Sequence, residues 1–138
     1  MEALRKGAIL LRNTMVFDRA HADEFKQAIR DAVLFAERNA PQLMVQVFLD
    51  DDNARCHSFQ LYADSEAILR HWKLSDPHIS AVMKHCVVER MEVYGSPSDA
   101  VRNGILASVG NDKVSFVPEF IGYFHLGLAG DVTRHRPA

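Results

Sequence analysis

The sequence predicts an α+β fold in which strand, helix, strand, strand, helix and strand follow one another around an antiparallel sheet. Three observations predict it. Residues 7–17 (GAILLRNTMVF) are apolar on both alternating faces except at Arg12, Asn13 and Thr14, the pattern of a strand covered on both sides. Phe25, Ala28, Ile29, Ala32, Val33 and Ala36 recur at three- and four-residue steps, which marks an amphipathic helix with one face on a sheet. Two strand-like runs joined by Asp50-Asp51-Asp52-Asn53, a second helical stretch and an alternating run over residues 87–94 complete the βαββαβ, ferredoxin-like order.

Each element has a local cause. Asp18 to Asp23 make a polar break, and Asp23-Glu24 put acid in the first helical turn, where the helix dipole favours it. Pro41 closes the connection to a strand whose face is Leu43, Val45, Val47 and Leu49, and Arg55 to Tyr62 form the return strand. The three aspartates lack the Gly at loop position six and the Glu at twelve of an EF-hand, where Arg55 and Leu61 stand, so they read as a solvated turn. Asp64 or Ser65 caps the next helix. Ser75-Asp76-Pro77 is expected to stop it near Lys73 and start another, with Ser75 as N-cap and Pro77 in the first turn. Gly95-Ser96-Pro97 punctuates the last core strand.

One domain is expected over residues 1–125, with a core at 7–95, an extension at 96–125 and a flexible tail at 126–138. Within the extension, residues 98–106 suit a short helix, and residues 115–125 (SFVPEFIGYFH) suit an irregular edge strand because of Pro118. That aromatic stretch is expected to cover an apolar face, on its own subunit or on a partner. Two helices cover only one face of a four-stranded sheet, yet the first strand is apolar on both. A homodimer buries the second face; a monomer covered by its own C-terminal residues is the alternative.

Composition excludes several classes. A chain of 138 residues with 48% apolar and 25% charged side chains is of globular type, and its net charge of −2 gives no electrostatic case for nucleic acid or an anionic membrane. The N-terminal apolar run, residues 8–11, is too short for a signal-peptide core or a membrane span. Cys56 and Cys86 form no metal-type spacing and read as reduced, core-filling thiols of a cytoplasmic protein.

The run FQLYADSEAILRHWKLSDPHI at residues 59–79, followed by VVERMEVYG at 87–95, resembles the antibiotic biosynthesis monooxygenase domain family. Those domains show an aromatic-ended strand, an acidic cap, Glu-Ala opening a helix, then His, a Ser or Thr, and often a second His. The matching positions are Tyr62, Asp64, Glu66-Ala67, His71, Ser75 and His78. The sequence departs from the pattern at Gln60, where the family often has Glu, and in its long C-terminal extension. The resemblance implies a dimeric α/β barrel with a ligand cavity between sheet and helices. Some members oxidise aromatic, polyketide-like or quinol substrates with molecular oxygen and no metal or flavin. An electron-rich substrate activates oxygen itself, so the protein need only bind it dry, help remove a proton and stabilise the anion.

On this reading Asn13 and His71 are the candidate catalytic residues. Asn13 shares a strand face with Ile9, Leu11, Met15 and Phe17, so its amide either serves a ligand or is satisfied within the core. His71 is a candidate general base, or else a histidine favoured at a helix C-terminus. Trp72, Tyr62, His78 and Ser75 are candidate substrate-binding residues, against plain roles in the core or as a cap. No metal or other cofactor is expected. His78 and His85 share a helix face, but no paired-ligand spacing supports a metal site. Haem-degrading relatives of the superfamily share an Asn, a Trp and a Ser-Asp pair, but their haem-ligating His falls where Val82 stands. The function read from the sequence is thus a cofactor-independent monooxygenase-like activity on a small aromatic or quinol compound. A non-catalytic small-molecule-binding or regulatory dimer on the same scaffold is the alternative.

Overall fold

The computed structural model describes residues 7–125, so the expected tail at 126–138 lies outside the described residues. The strands are β1 (Ile9–Phe17), β2 (Gln42–Asp50), β3 (Arg55–Tyr62), β4 (Cys86–Tyr94) and β5 (Val114–Val117); the helices are α1 (Ala22–Asn39), α2 (Ser65–Met83) and α3 (Asp99–Val109). The strand order is β2-β3-β1-β4-β5. All pairs among the first four strands are antiparallel, which is the ferredoxin-like arrangement expected. The extension adds α3 and a short β5 parallel to β4.

β1 lies at the centre, bonded to β3 on one side and β4 on the other. Because successive side chains alternate across a sheet, Ile9, Leu11, Asn13, Met15 and Phe17 all face the helices. The apolar members of that row divide into two clusters. Ile9 and Leu11 join Tyr62, Ala67, Ile68, Val93, Val101 and Ile105. Met15 and Phe17 join Phe25, Ala54, Cys56 and Val82. Asn13 stands between them. Burying each large aliphatic side chain contributes roughly 1.5–3 kcal/mol, so the two clusters anchor the ends of the sheet to the helices.

The structure corrects two local expectations. Ser75-Asp76-Pro77 does not divide the helix: α2 is continuous, with Pro77 inside it and Asp64 as its N-cap, accepting from the Ala67 N–H at 2.8 Å. Pro77 removes one intrahelical bond, but Asp76 and Pro77 lie on the exposed side of the helix while Ser75 and His71 are buried. Ser75 is therefore an inward-facing residue of mid-helix and not a cap. The second correction concerns residues 115–125. Only Val114–Val117 forms a strand, and within it Phe116 packs against the first cluster, whereas Phe120, Ile121 and Tyr123 are 96%, 80% and 78% exposed, so these three cover no face of their own subunit.

The other face of the sheet carries Leu10, Phe48, Phe59, Leu61 and Tyr94, with Phe48 about half exposed. Arg12 lies over the Phe59 ring at 5.5 Å and 3.6 Å from Glu92. Among the described residues, no helix is long and apolar enough to cross a membrane.

α3 docks through a close approach. A Cβ on Gly104 would lie 2.7 Å from Trp72 Cζ3 and 3.0 Å from Cη2. Gly→Ala inside a helix is ordinarily stabilising by about 1 kcal/mol. Here the methyl meets a large ring held in the core, and Gly104→Ala is expected to destabilise by roughly 1–3 kcal/mol. Urea unfolding of the two proteins checks the sign.

Candidate functional site

Beside the second cluster the packing is incomplete, leaving a cavity of about 120 Å³ under α1 and α2. Its apolar wall includes Met15, Ile29, Val33, Val47 and Ile79. Its polar lining is Asn13 from β1, Gln42 from β2, Ser58 and Gln60 from β3, and His71, Ser75 and His78 from α2. An apolar cavity of ~150 Å³ accepts benzene, so the space matches one small ring.

The structure brings four of the six sequence-predicted residues to this cavity: Asn13, His71, Ser75 and His78. Tyr62 stands behind the wall. It is fully buried, its ring is 5.8 Å from that of His71, and its hydroxyl donates to Gln60 Oε1 at 2.5 Å. Burial raises its pKa, so it is a neutral phenol that orients the lining. Trp72 does not line the cavity; one residue round the helix from His71, it packs on the first cluster and against Gly104 of α3.

Gln42, Ser58 and Gln60 were not among the sequence candidates. Gln42 Nε2 donates to Gln60 Oε1 at 2.8 Å and to the Tyr62 hydroxyl at 2.9 Å, and Gln60 Nε2 donates to Ser58 Oγ at 3.2 Å. These residues form one hydrogen-bonded row across β2 and β3. The sequence signal for it was Gln60 itself, an amide where the resemblance expects a carboxylate.

Two amide oxygens remain unpartnered. Asn13 Oδ1 and Gln42 Oε1 are buried and accept no hydrogen bond from a described residue. Buried acceptors without donors are uncommon and costly, by roughly 1–3 kcal/mol each. Both belong to cavity-lining residues, so a ligand's donor groups would relieve the cost. His71 is buried with its Nδ1 3.0 Å from Ser75 Oγ, and burial pushes its pKa down to about 4. No Asp, Glu, Lys or Arg lines the cavity. Every polar group it offers is an amide, a hydroxyl or an imidazole.

The remaining histidines are dispersed. His78 packs on Phe35 at 4.5 Å, His85 stacks on His21 at 5.0 Å, and His57 lies 3.5 Å from Thr14. The expected common helix face of His78 and His85 is not formed: α2 ends at Met83, so His85 lies in the turn before β4 and the two meet different neighbours. Among the described residues no three His, Cys, Asp or Glu side chains gather into a metal-holding group. Burial raises the Cys56 thiol to about 12 and the Cys86 thiol to about 11, leaving both protonated near neutral pH.

No family model and no curated protein matches the chain by sequence. Solved structures do match its fold. MupZ from Pseudomonas fluorescens superposes with a TM-score of 0.68 at 12% identity, over 88% of this chain and 98% of its own. A candidate antibiotic biosynthesis monooxygenase from Caulobacter crescentus gives a TM-score of 0.56 at 21% identity, over 64% of this chain and 88% of its own. SnoaB, a cofactor-independent oxygenase from Streptomyces nogalater, gives 0.54 at 14% identity, over 67% and 95%. The expected likeness of fold to antibiotic biosynthesis monooxygenase-type proteins is borne out. The share of this chain matched in MupZ exceeds what β1 through β4 provide, so that likeness reaches into the extension.

The neutral, buried His71 has a pH signature. The unfolded chain protonates this imidazole below about pH 6.5, whereas the folded chain refuses the proton until about pH 4. The associated stability is complete above the unfolded value and is lost as pH falls between the two, by up to about 3 kcal/mol. His71→Asn is expected to lose less stability than the parent between about pH 7.5 and pH 4.5. Urea midpoints at the two pH values check this.

Proposed function

We propose that the cavity binds a small aromatic or quinol compound and promotes its oxidation by molecular oxygen, without metal or flavin, in a homodimer. The observation that carries this reading is the unpartnered Asn13 Oδ1 beside an uncharged His71 in a largely apolar space of one-ring size. The cofactor-independent oxygenase SnoaB, whose fold the chain shares, supports the reaction class. Asn13 and Gln42 would accept hydrogen bonds from substrate hydroxyls, while His71, Ser75 and His78 present the remaining polar groups. The substrate supplies the electrons: one oxygen atom enters the ring and the other leaves as water, with the ring oxidised to the quinone level. An uncharged, largely apolar lining favours such a step, because a developing oxyanion is stabilised there by fixed dipoles.

One observation favours the non-catalytic alternative. A histidine with a pKa near 4 is a weak base at neutral pH, and no carboxylate lines the cavity to replace it. Oxygen uptake with a panel of monocyclic hydroquinones separates the two readings. Turnover is expected in the parent, with a loss of roughly 10²-fold or more in Asn13→Ala and His71→Ala. Saturable hydroquinone binding without oxygen uptake would establish the binding-protein reading instead.

The homodimer is expected to use the open sheet face, where Leu10, Phe48, Phe59 and Tyr94 stand clear of the helices. Phe48 is exposed in the single chain, so Phe48→Asp should leave the fold intact and shift the particle from dimer to monomer. Light scattering coupled to size exclusion measures this.

A further inference from the structure

His71 and Ser75 stand one helical turn apart on α2, the spacing at which side chains on a helix meet. Ser75 Oγ lies 3.0 Å from His71 Nδ1, both residues are buried, and both line the cavity. A serine inside a helix commonly returns its hydroxyl proton to a carbonyl one turn back. Ser75 makes no such bond. Among the described residues, His71 Nδ1 is the only hydrogen-bond partner of its hydroxyl.

That pairing constrains where the imidazole proton sits. A neutral imidazole has one N–H and one bare nitrogen. If Nδ1 carried the proton and donated to Oγ, the serine's own proton would be buried with nothing described to receive it. If the hydroxyl donates to a bare Nδ1, both groups are satisfied and the ring proton lies on Nε2. His71 Nε2 bonds to no described residue, so it is the nitrogen left for a ligand.

We propose that Ser75 is a positioning residue that holds His71 as the Nε2–H tautomer, so that His71 meets a ligand as a hydrogen-bond donor and not as a base. The burial that keeps the ring neutral to about pH 4 supports the same state across the neutral range. The cavity then carries complementary groups: bare amide oxygens on Asn13 and Gln42 to receive a ligand's hydroxyl protons, and an imidazole N–H to donate to an oxygen as it becomes anionic. The proposal rests on the functional reading above only for the identity of that ligand.

The test is a long-range ¹H–¹⁵N spectrum of the histidine side chains at neutral pH, without any ligand, His71 being assigned by its absence in His71→Gln. The expected result is a protonated Nε2 and a bare Nδ1. Ser75→Ala should give a mixture of tautomers, and Ser75→Thr, which restores a hydroxyl, should recover the single Nε2–H form. A protonated Nδ1 in the parent, or a His71 signal unchanged in Ser75→Ala, would overturn the proposal. The parent spectrum decides even if Ser75→Ala fails to fold. Because it is recorded on the free protein, a failure of oxygen uptake leaves the tautomer assignment standing. An Nδ1–H result likewise leaves the oxygen chemistry to its own assay.

Discussion

The pleat of the central strand is the constraint on which everything else depends. β1 is hydrogen-bonded along both edges, and a slip of one residue would exchange its two faces completely. Ile9, Leu11, Met15 and Phe17 bury beneath the helices and so hold the register. Asn13 is carried to the same face by geometry alone. Its position between two apolar clusters is therefore imposed by its neighbours, and the cavity opens at Asn13 against the second cluster.

That origin explains the chemistry of the cavity. Its strand-side polar groups sit on positions that the sheet turns inward, and a charge there would meet a low-dielectric wall on most sides. The lining residues avoid the cost by being neutral: amides on Asn13, Gln42 and Gln60, hydroxyls on Ser58 and Ser75, and imidazoles. Buried Tyr62 belongs to the same economy, since its hydroxyl is tied into the Gln42–Gln60 row and fixes those amides from behind. Such a site discriminates by shape and by where donors and acceptors fall, with net charge contributing little.

Much of this was legible in the sequence because it depends on period. The two-residue alternation of residues 7–17 placed Asn13 on the apolar face, and the helical recurrence from Phe25 to Ala36 gave α1 and its inner side. Ser75-Asp76-Pro77 carries a strong local signal for a helix stop, yet the helix runs on. The deciding facts are tertiary: Ser75 buries inward while Asp76 and Pro77 meet solvent. The choice for Trp72 between core and cavity stays open in the sequence for a similar reason, since nothing before the fold shows that α3 brings Gly104 against its ring. Gln42 and Ser58 depend on the β2–β3 register across the hairpin, which strand-by-strand reading does not provide. The exposed aromatics from Phe120 to Tyr123 were noticed as apolar, but their lack of cover became visible only in the fold.

The central claim is that this gap in the core is a ligand site for a small neutral aromatic molecule. The most direct measurement is a titration of the ¹⁵N-labelled protein with a monocyclic hydroquinone, following the side-chain amides of Asn13, Gln42 and Gln60. The account predicts that these amide signals and the His71 imidazole move together, saturably and with one molecule bound per chain. Saturable shifts confined to the open sheet face around Phe48, Phe59 and Tyr94, with the Asn13 amide unmoved, would contradict it.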